Sequence, residues 1–411
     1  MEFQFADRLL KLPPYVFGKL NALKLELRRK GIDIIDLGMG NPDKGAPDSV
    51  VSKTLEVLKD PKTHRYSRSK GISQLLKEVA VYYKKKYRVD LDPEKEIVAT
   101  IGSKEGLSHL ALALLNPGDT VLVPAPAFPI HIWSVVLAGG NVITIPLEKL
   151  LGPNFIEELA KTYDSLWPKP KFILLNFPHN PTTAVADRNF YEKMTAFALE
   201  NNLMIIHDFA YADITFDGYK APSFLEIPDA KKIGVEFITM SKSFSMAGWR
   251  IGFCLGNAQI VQALEKIKGY YDYGIFTPVQ VGSIIALRHE WEEAPQKYAQ
   301  IYENRRNVLI EGLNKAGWNI DKNKNKATMF VWAPIPEEYK KTGSVRFSRF
   351  LLEEAEVCVS PGNSFGEEGE GFLRISLVEN EKRIQQAVKQ IKKAMSSTSP
   401  EEVMEKYPAG F

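Results

Sequence analysis

Residues 171–208 read KFILLNFPHNPTTAVADRNFYEKMTAFALENNLMIIHD. Two apolar runs, KFILLN (171–176) and LMIIHD (203–208), flank a stretch from Asp187 to Asn202 with helical spacing of its apolar residues. The pattern predicts strand, helix, strand, the repeating unit of a parallel sheet. Each strand ends on a polar side chain, Asn176 or Asp208, where such a sheet opens to ligands.

The same unit recurs outward. EIVATIG (96–102), TVLV (120–123), NVITI (141–145), EFITM (236–240) and RIGFCLG (250–256) read as strands. KEGLSHLALALL (104–115) reads as a helix, and another helical stretch separates the second and third of these strands. Short apolar strands alternating with helices predict an α/β fold around a mostly parallel sheet. From about residue 285 the texture changes to α+β: a long charged helix (290–317), ATMFVWAPI, a helix near 345–355, VCVSPG, and GFLRISLV before a closing helix. At the other end, NALKLELRRKG reads as a short helix and IDIIDLG as a strand. The expected division is a large domain over 45–284 and a small domain formed by 1–44 and 285–396. Residues 397–411, polar and Pro-punctuated, are expected to form a loose tail.

Composition narrows the function. The 411 residues carry 53 basic and 50 acidic side chains, a formal charge of +3. That balance argues against nucleic acid or an anionic membrane as the partner, while leaving room for a small anion held locally. The longest uncharged run, Thr120 to Leu147, is broken by four prolines and a Gly-Gly pair, so no membrane span is expected. The start shows no basic segment leading into an apolar core, so no signal peptide is expected. The two cysteines, Cys254 and Cys358, lie in apolar stretches and fit a reducing compartment, hence the cytoplasm. Six histidines show no paired-ligand spacing, and no metal site is expected. Gly38-Met39-Gly40 lacks the third glycine and the following helix of a dinucleotide loop.

Ranking polar residues by position at strand ends gathers a specific set. Gly102-Ser103-Lys104-Glu105-Gly106 follows a strand and opens a helix, a setting for phosphate. Asn180 lies just past Asn176; Asp208 closes its strand, with Tyr211 three residues on. Thr239, Ser241 and Lys242 close EFITM, and Arg250 sits where the chain enters the next strand. A carboxylate, a phenol, an amide, a lysine and phosphate-type donors together match pyridoxal phosphate. That cofactor needs a lysine for covalent attachment, an acid partner for its ring nitrogen, and anion donors.

These residues also carry a resemblance. SKSFSMAGWRIGF (241–253) resembles the lysine signature of fold-type I, class I/II aminotransferases, and NPT, D-x-A-Y and FLRIS resemble other signatures of that family. LPPYVFGKLNALKL, DLGMGNPD, THRYSRSKG, ATIGSKEGLSHLAL, HDFAYADITFDGYKAPSF and YYDYGIFTPVQ are similar to the bacterial glutamate–pyruvate (alanine) aminotransferases, which border the LL-diaminopimelate aminotransferases. The resemblance implies a large domain with a mostly parallel seven-stranded sheet flanked by helices, plus a smaller α+β domain. It also implies transamination between an L-amino acid and a 2-oxo acid, with alanine and 2-oxoglutarate as first choice.

Residue by residue, the resemblance implies that Lys242 bonds the cofactor covalently and moves the proton, with Asp208 on the pyridine nitrogen. Tyr211 and Asn180 hold the ring's O3′, and Phe128 stacks on the ring. Ser103, Lys104, Ser241, Arg250 and Thr239 surround the phosphate. Arg374 clamps the substrate α-carboxylate beside the Gly38 backbone, and Tyr15 is a candidate for the distal group. Tyr66 is expected to reach the other subunit's cofactor, which implies a homodimer. Two departures stand out. The common NPTG is Asn180-Pro181-Thr182-Thr183 here, and Thr restricts φ where Gly would not. Tyr270 to Gln280 has no arginine, so the distal-carboxylate residue of aspartate aminotransferases is missing from this stretch.

Overall fold

A computed structural model of the chain describes residues 3–13 and 16–408. Seven strands form one sheet, in the spatial order Ile97–Thr100, Gly252–Gly256, Gly234–Thr239, Met204–Asp208, Phe172–Asn176, Thr120–Ala125, Asn141–Pro146. Gly252–Gly256 runs antiparallel to both neighbours. The remaining adjacent pairs are parallel. All seven strands expected between residues 96 and 256 are therefore present in this sheet.

Successive side chains of a strand point to opposite faces. Val121, Val123, Phe172, Leu174 and Ile206 belong to one core, with Leu107, Leu110, Val135 and Leu264 from the helices that cover that face. Leu122, Ile173, Leu175 and Ile205 belong to the other, with Leu76, Val79, Phe190, Met194 and Leu287. Burial on both faces explains why these strands read as unbroken apolar runs rather than alternating ones.

A smaller antiparallel sheet orders Ser360–Pro361, Phe372–Ser376 and Phe330–Pro334. Helix Val16–Arg29 packs Leu20 against Ile34, Leu352 and Cys358. The expected strand IDIIDLG shrinks to Ile35–Asp36, paired in parallel with Val357–Cys358. It ends because the Gly38 amide turns back onto Asp36 Oδ1 at 3.1 Å, a local side-chain turn that competes with the ladder. Strand EFITM likewise stops at Thr239. The Thr239 hydroxyl accepts Ser241 N–H at 3.1 Å and caps a helical turn, Met240–Ser243, that carries Lys242.

The expected loose tail is corrected by the structure. Ser399 and Glu402 form a reciprocal capping box with Pro400 in the first turn, opening helix Pro400–Lys406. Val403 and Tyr407 are buried. Tyr407 Oη donates to Glu354 at 2.9 Å, and Arg346 Nε donates to the Tyr407 carbonyl at 3.1 Å. Burying one such aromatic is worth roughly 1.5–3 kcal/mol, enough to dock a short helix that would not form alone. No helix among the described residues is long and apolar enough to cross a membrane.

Candidate active site

The carboxyl ends of five strands converge on a cavity of about 300 Å³. Ser103, Lys104, Phe128, Asn180, Asp208, Tyr211, Thr239, Ser241, Lys242, Arg250 and Arg374 all line it. A larger open groove of about 710 Å³ lies elsewhere, between 86–90 and 225–232. Its lysines 231 and 232 are paired with Glu96 and Asp229, and it receives none of these groups.

One end of the cavity is built for an anion. Gly102 precedes helix Ser103–Leu114 with φ +76, so free N–H groups of the first turn face the space. Arg250 lies against that turn, its own φ at +55 and its Nη1 donating to the Ala247 carbonyl at 2.9 Å. A side chain on Gly102 would collide with this guanidinium. Thr239 Oγ1 contacts Ser241 Oγ at 2.9 Å and the Ile251 carbonyl at 3.1 Å, which orients the serine hydroxyl.

The middle of the cavity holds Asp208, buried at the end of its strand. Its Oδ2 accepts from His131 Nε2 at 2.9 Å, and Asn176 Nδ2 donates to its carbonyl at 2.7 Å. His131 was not singled out in the sequence. It sits one helical turn past Phe128, and the two rings meet edge-on at 5.8 Å. The Tyr211 phenol is pushed well above its ordinary range by burial, so it stays protonated and can donate.

Lys242 Nζ donates to the Gly40 carbonyl at 2.7 Å and lies 6.0 Å from the centre of the Tyr211 ring. Burial, then the positive charges of Arg374 and Arg250, push its ammonium down to about 7. The amine is therefore substantially neutral at physiological pH. At the far end, Arg374 Nη1 donates to Asn180 Oδ1 at 2.9 Å and Nη2 to the Gly38 carbonyl at 3.1 Å. Phe330 and Phe365 hold its guanidinium, with ring centres 4.1 and 4.7 Å away. A planar fork fixed this way suits a carboxylate.

Gly38 is thus a neighbour of Arg374 rather than a lining residue, while Met39 and Gly40 do line the cavity. Tyr66 does not reach this cavity; it is 86% exposed and packs on Tyr273 at 4.6 Å. Tyr15 lies outside the described residues. Among the described residues, Glu105, His109 and Asp272 bring three possible metal-ligand atoms together. The buried Lys268 ammonium already pairs with both carboxylates, at 3.1 and 3.0 Å, so this is an ion-pair cluster.

The donor set fits pyridoxal phosphate. Four basic side chains, Lys104, Lys242, Arg250 and Arg374, face the space with a single carboxylate, Asp208. The basic groups and the helix start suit the phosphate and a substrate carboxylate, and the lone carboxyl group suits a ring nitrogen. Phe128, Ile130 and Ala210 add apolar surface to the same cavity.

Comparison with known proteins agrees. The sequence pattern of the family "Aminotransferase class I and II" matches residues 32–391, and the chain belongs to that family. It is a pyridoxal-phosphate-dependent enzyme that transfers an amino group between an amino acid and a 2-oxo acid. The glutamate-pyruvate aminotransferase AlaC of Escherichia coli is 49% identical over 385 residues, covering 94% of this chain and 92% of that one. The LL-diaminopimelate aminotransferase of Halothermothrix orenii is 41% identical over 387 residues, covering 94% and 97%. Among solved structures, substrate-bound BacF of Bacillus subtilis superposes with a TM-score of 0.88 at 36% identity, covering 96% and 98%.

Proposed function

We propose that the enzyme exchanges amino groups between L-alanine and 2-oxoglutarate, giving pyruvate and L-glutamate in two half-reactions at one site. The observation that carries this reading is the 49% identity, over nearly the whole chain, to a glutamate-pyruvate aminotransferase. The absence of arginine from Tyr270 to Gln280 supports it against aspartate. So do the apolar Met39, Ile130 and Phe330 on the cavity wall, which suit a methyl side chain.

In this reading Lys242 is both the point of covalent attachment and the proton carrier at the substrate Cα. Its depressed ammonium supports both roles, since only the neutral amine is a nucleophile or a base. Bound pyridoxal phosphate supplies the electron sink for the bond broken at Cα. The Asp208 carboxyl would face the ring nitrogen, and His131 fixes its orientation. Tyr211 and Asn180 would orient the ring through O3′, and Phe128 would pack on its face. Ser103, Lys104, Ser241, Thr239 and Arg250 would hold the phosphate. Arg374 takes the α-carboxylate beside the Gly38 backbone.

The enzyme is further proposed to act as a cytoplasmic homodimer in which Tyr66 of each copy reaches the other's phosphate region. Support comes from a cluster of exposed aromatic side chains, Tyr66, Tyr270, Tyr271 and Tyr273. The two buried free thiols suit a reducing compartment.

LL-diaminopimelate is the second reading, supported by the 41% identity to such an enzyme. A half-reaction panel followed by absorbance, with alanine, glutamate, aspartate and LL-diaminopimelate as donors, separates the two. Alanine and glutamate are expected to react fastest. A much faster reaction with diaminopimelate would sink the alanine assignment. Lys242→Ala is expected to abolish turnover.

A further inference from the structure

The Gly38 peptide, just behind the cavity wall, is fixed by two residues that do not line the cavity. Lys24, on helix Val16–Arg29, is 7% exposed and donates to Asp36 Oδ2 at 2.6 Å. The other oxygen of that carboxylate accepts the Gly38 N–H at 3.1 Å. The Gly38 carbonyl then accepts Arg374 Nη2 at 3.1 Å and Ser360 Oγ at 2.7 Å. An unbroken path of hydrogen bonds therefore runs from the N-terminal helix to the arginine fork.

The surroundings make this path rigid. A side-chain carbon on Gly38 would sit 3.0 Å from Cys358 Sγ, so this side of the residue is closely packed. The neighbouring Leu37 N–H donates to the Cys358 carbonyl at 2.9 Å, and the Leu37 carbonyl accepts the Ser376 N–H at 2.8 Å. Helix attachment does not by itself call for an ion pair. Leu20, Leu23 and Leu27 already pack apolar surface against Ile34 and Leu352, and an ion pair desolvated in such a place adds little net stability. What the pair does supply is direction: it fixes the carboxylate that turns the Gly38 peptide.

We propose that Lys24 and Asp36 are positioning residues for substrate-carboxylate recognition, setting the Gly38 peptide and, through its carbonyl, the guanidinium of Arg374. The inference rests on the reading that Arg374 binds the α-carboxylate.

The test uses the holoenzyme with Lys24→Met, Asp36→Asn, Lys24→Arg and Arg374→Lys. Steady-state kinetics give KM and kcat for both substrates. Calorimetry with propionate, a carboxylate with no amino group, gives carboxylate affinity directly. Lys24→Met is expected to raise both KM values and weaken propionate by about 3–10-fold, the effect of one lost hydrogen bond. The kcat and the pyridoxal phosphate affinity should change less than about twofold, and Lys24→Arg should restore KM. Should Lys24→Met fail to fold, Asp36→Asn carries the same expectation. Unchanged KM and propionate affinity in Lys24→Met, alongside weakening in Arg374→Lys, overturns the inference alone. A joint fall in kcat, cofactor affinity and KM performance also overturns it, since that marks general damage. Unchanged propionate affinity in Arg374→Lys overturns the carboxylate reading and this inference with it.

Discussion

The guanidinium of Arg250 lies across Gly102, with Nη2 only 2.3 Å from where a Gly102 side-chain carbon would be. The pair joins two loops far apart in sequence at the anion end of the cavity. Gly102 also holds φ +76, a left-handed conformation that strains other residues.

Gly102→Ala is therefore expected to displace Arg250 and to weaken pyridoxal phosphate binding by about tenfold or more, given a backbone cost near 1 kcal/mol plus the lost contact. Cofactor titration followed by absorbance checks this. Retention of wild-type affinity would show that Arg250 does not hold the phosphate.

His131→Phe should leave the helix and its packing intact while removing the donor to Asp208 Oδ2. A hydrogen bond to a charged group is worth about 1.5–3 kcal/mol, so kcat is expected to fall by about 10–100-fold. Steady-state rates at saturating substrate measure it; a change under twofold would remove His131 from the working site.

Lys242 gives a pH dependence whose sign follows from its depressed ammonium, at about 7. Below that pH the amine is protonated and unreactive; above it the neutral form predominates. The rate at which cofactor-free protein captures pyridoxal phosphate should rise through about pH 7 and then level off. A rate that keeps climbing towards pH 10 would mean an ordinary, unperturbed lysine. The same shift affects stability. The folded cofactor-free protein binds this proton less readily than the unfolded chain, so this group's contribution to stability rises with pH from about 7 to its unfolded range.

Thr183 stands at φ +64, fully buried, where a β-branched side chain is strained. Its hydroxyl is bonded to Asn325 Oδ1 at 3.1 Å and lies 3.2 Å from the Lys324 carbonyl, and its N–H donates to the His179 carbonyl at 2.8 Å. Thr183→Val keeps the strain and removes one of two donors to Asn325 Oδ1, the other being the Trp332 N–H at 3.3 Å, a loss of about 0.5–1.5 kcal/mol. Thr183→Gly loses the same bonds but relieves the backbone. Thermal unfolding should rank wild type above Gly, and Gly above Val. A reversed order of the two variants would mean that φ strain plays no part.

Much of the sheet was legible because its strands are covered on both faces, so each appears as an apolar run with a clear start and stop. The lysine, carboxylate and amide of the site were legible because each closes or follows such a run. His131 was not. It lies in an uncharged helix, and its partner Asp208 is 77 positions away, so nothing local marks it. The docked tail was misread because polar composition hid the capping box at Ser399 and the two apolar residues, Val403 and Tyr407, that anchor it.

Local chemistry, then, was enough for the order of strands and helices of the large sheet, and for the groups able to hold a phosphate and a ring nitrogen, while Arg374 as the carboxylate group came from the resemblance to the aminotransferases. Those follow from side-chain periodicity and from what each residue type can donate or accept. Their assembly was decided by the tertiary structure. Arg374 meets Asn180 and Gly38, Asp208 meets His131, and Lys24 reaches the substrate wall through Asp36 only because the fold brings these segments together. The depressed ammonium of Lys242 has the same origin, since it depends on burial and on the charges of Arg374 and Arg250.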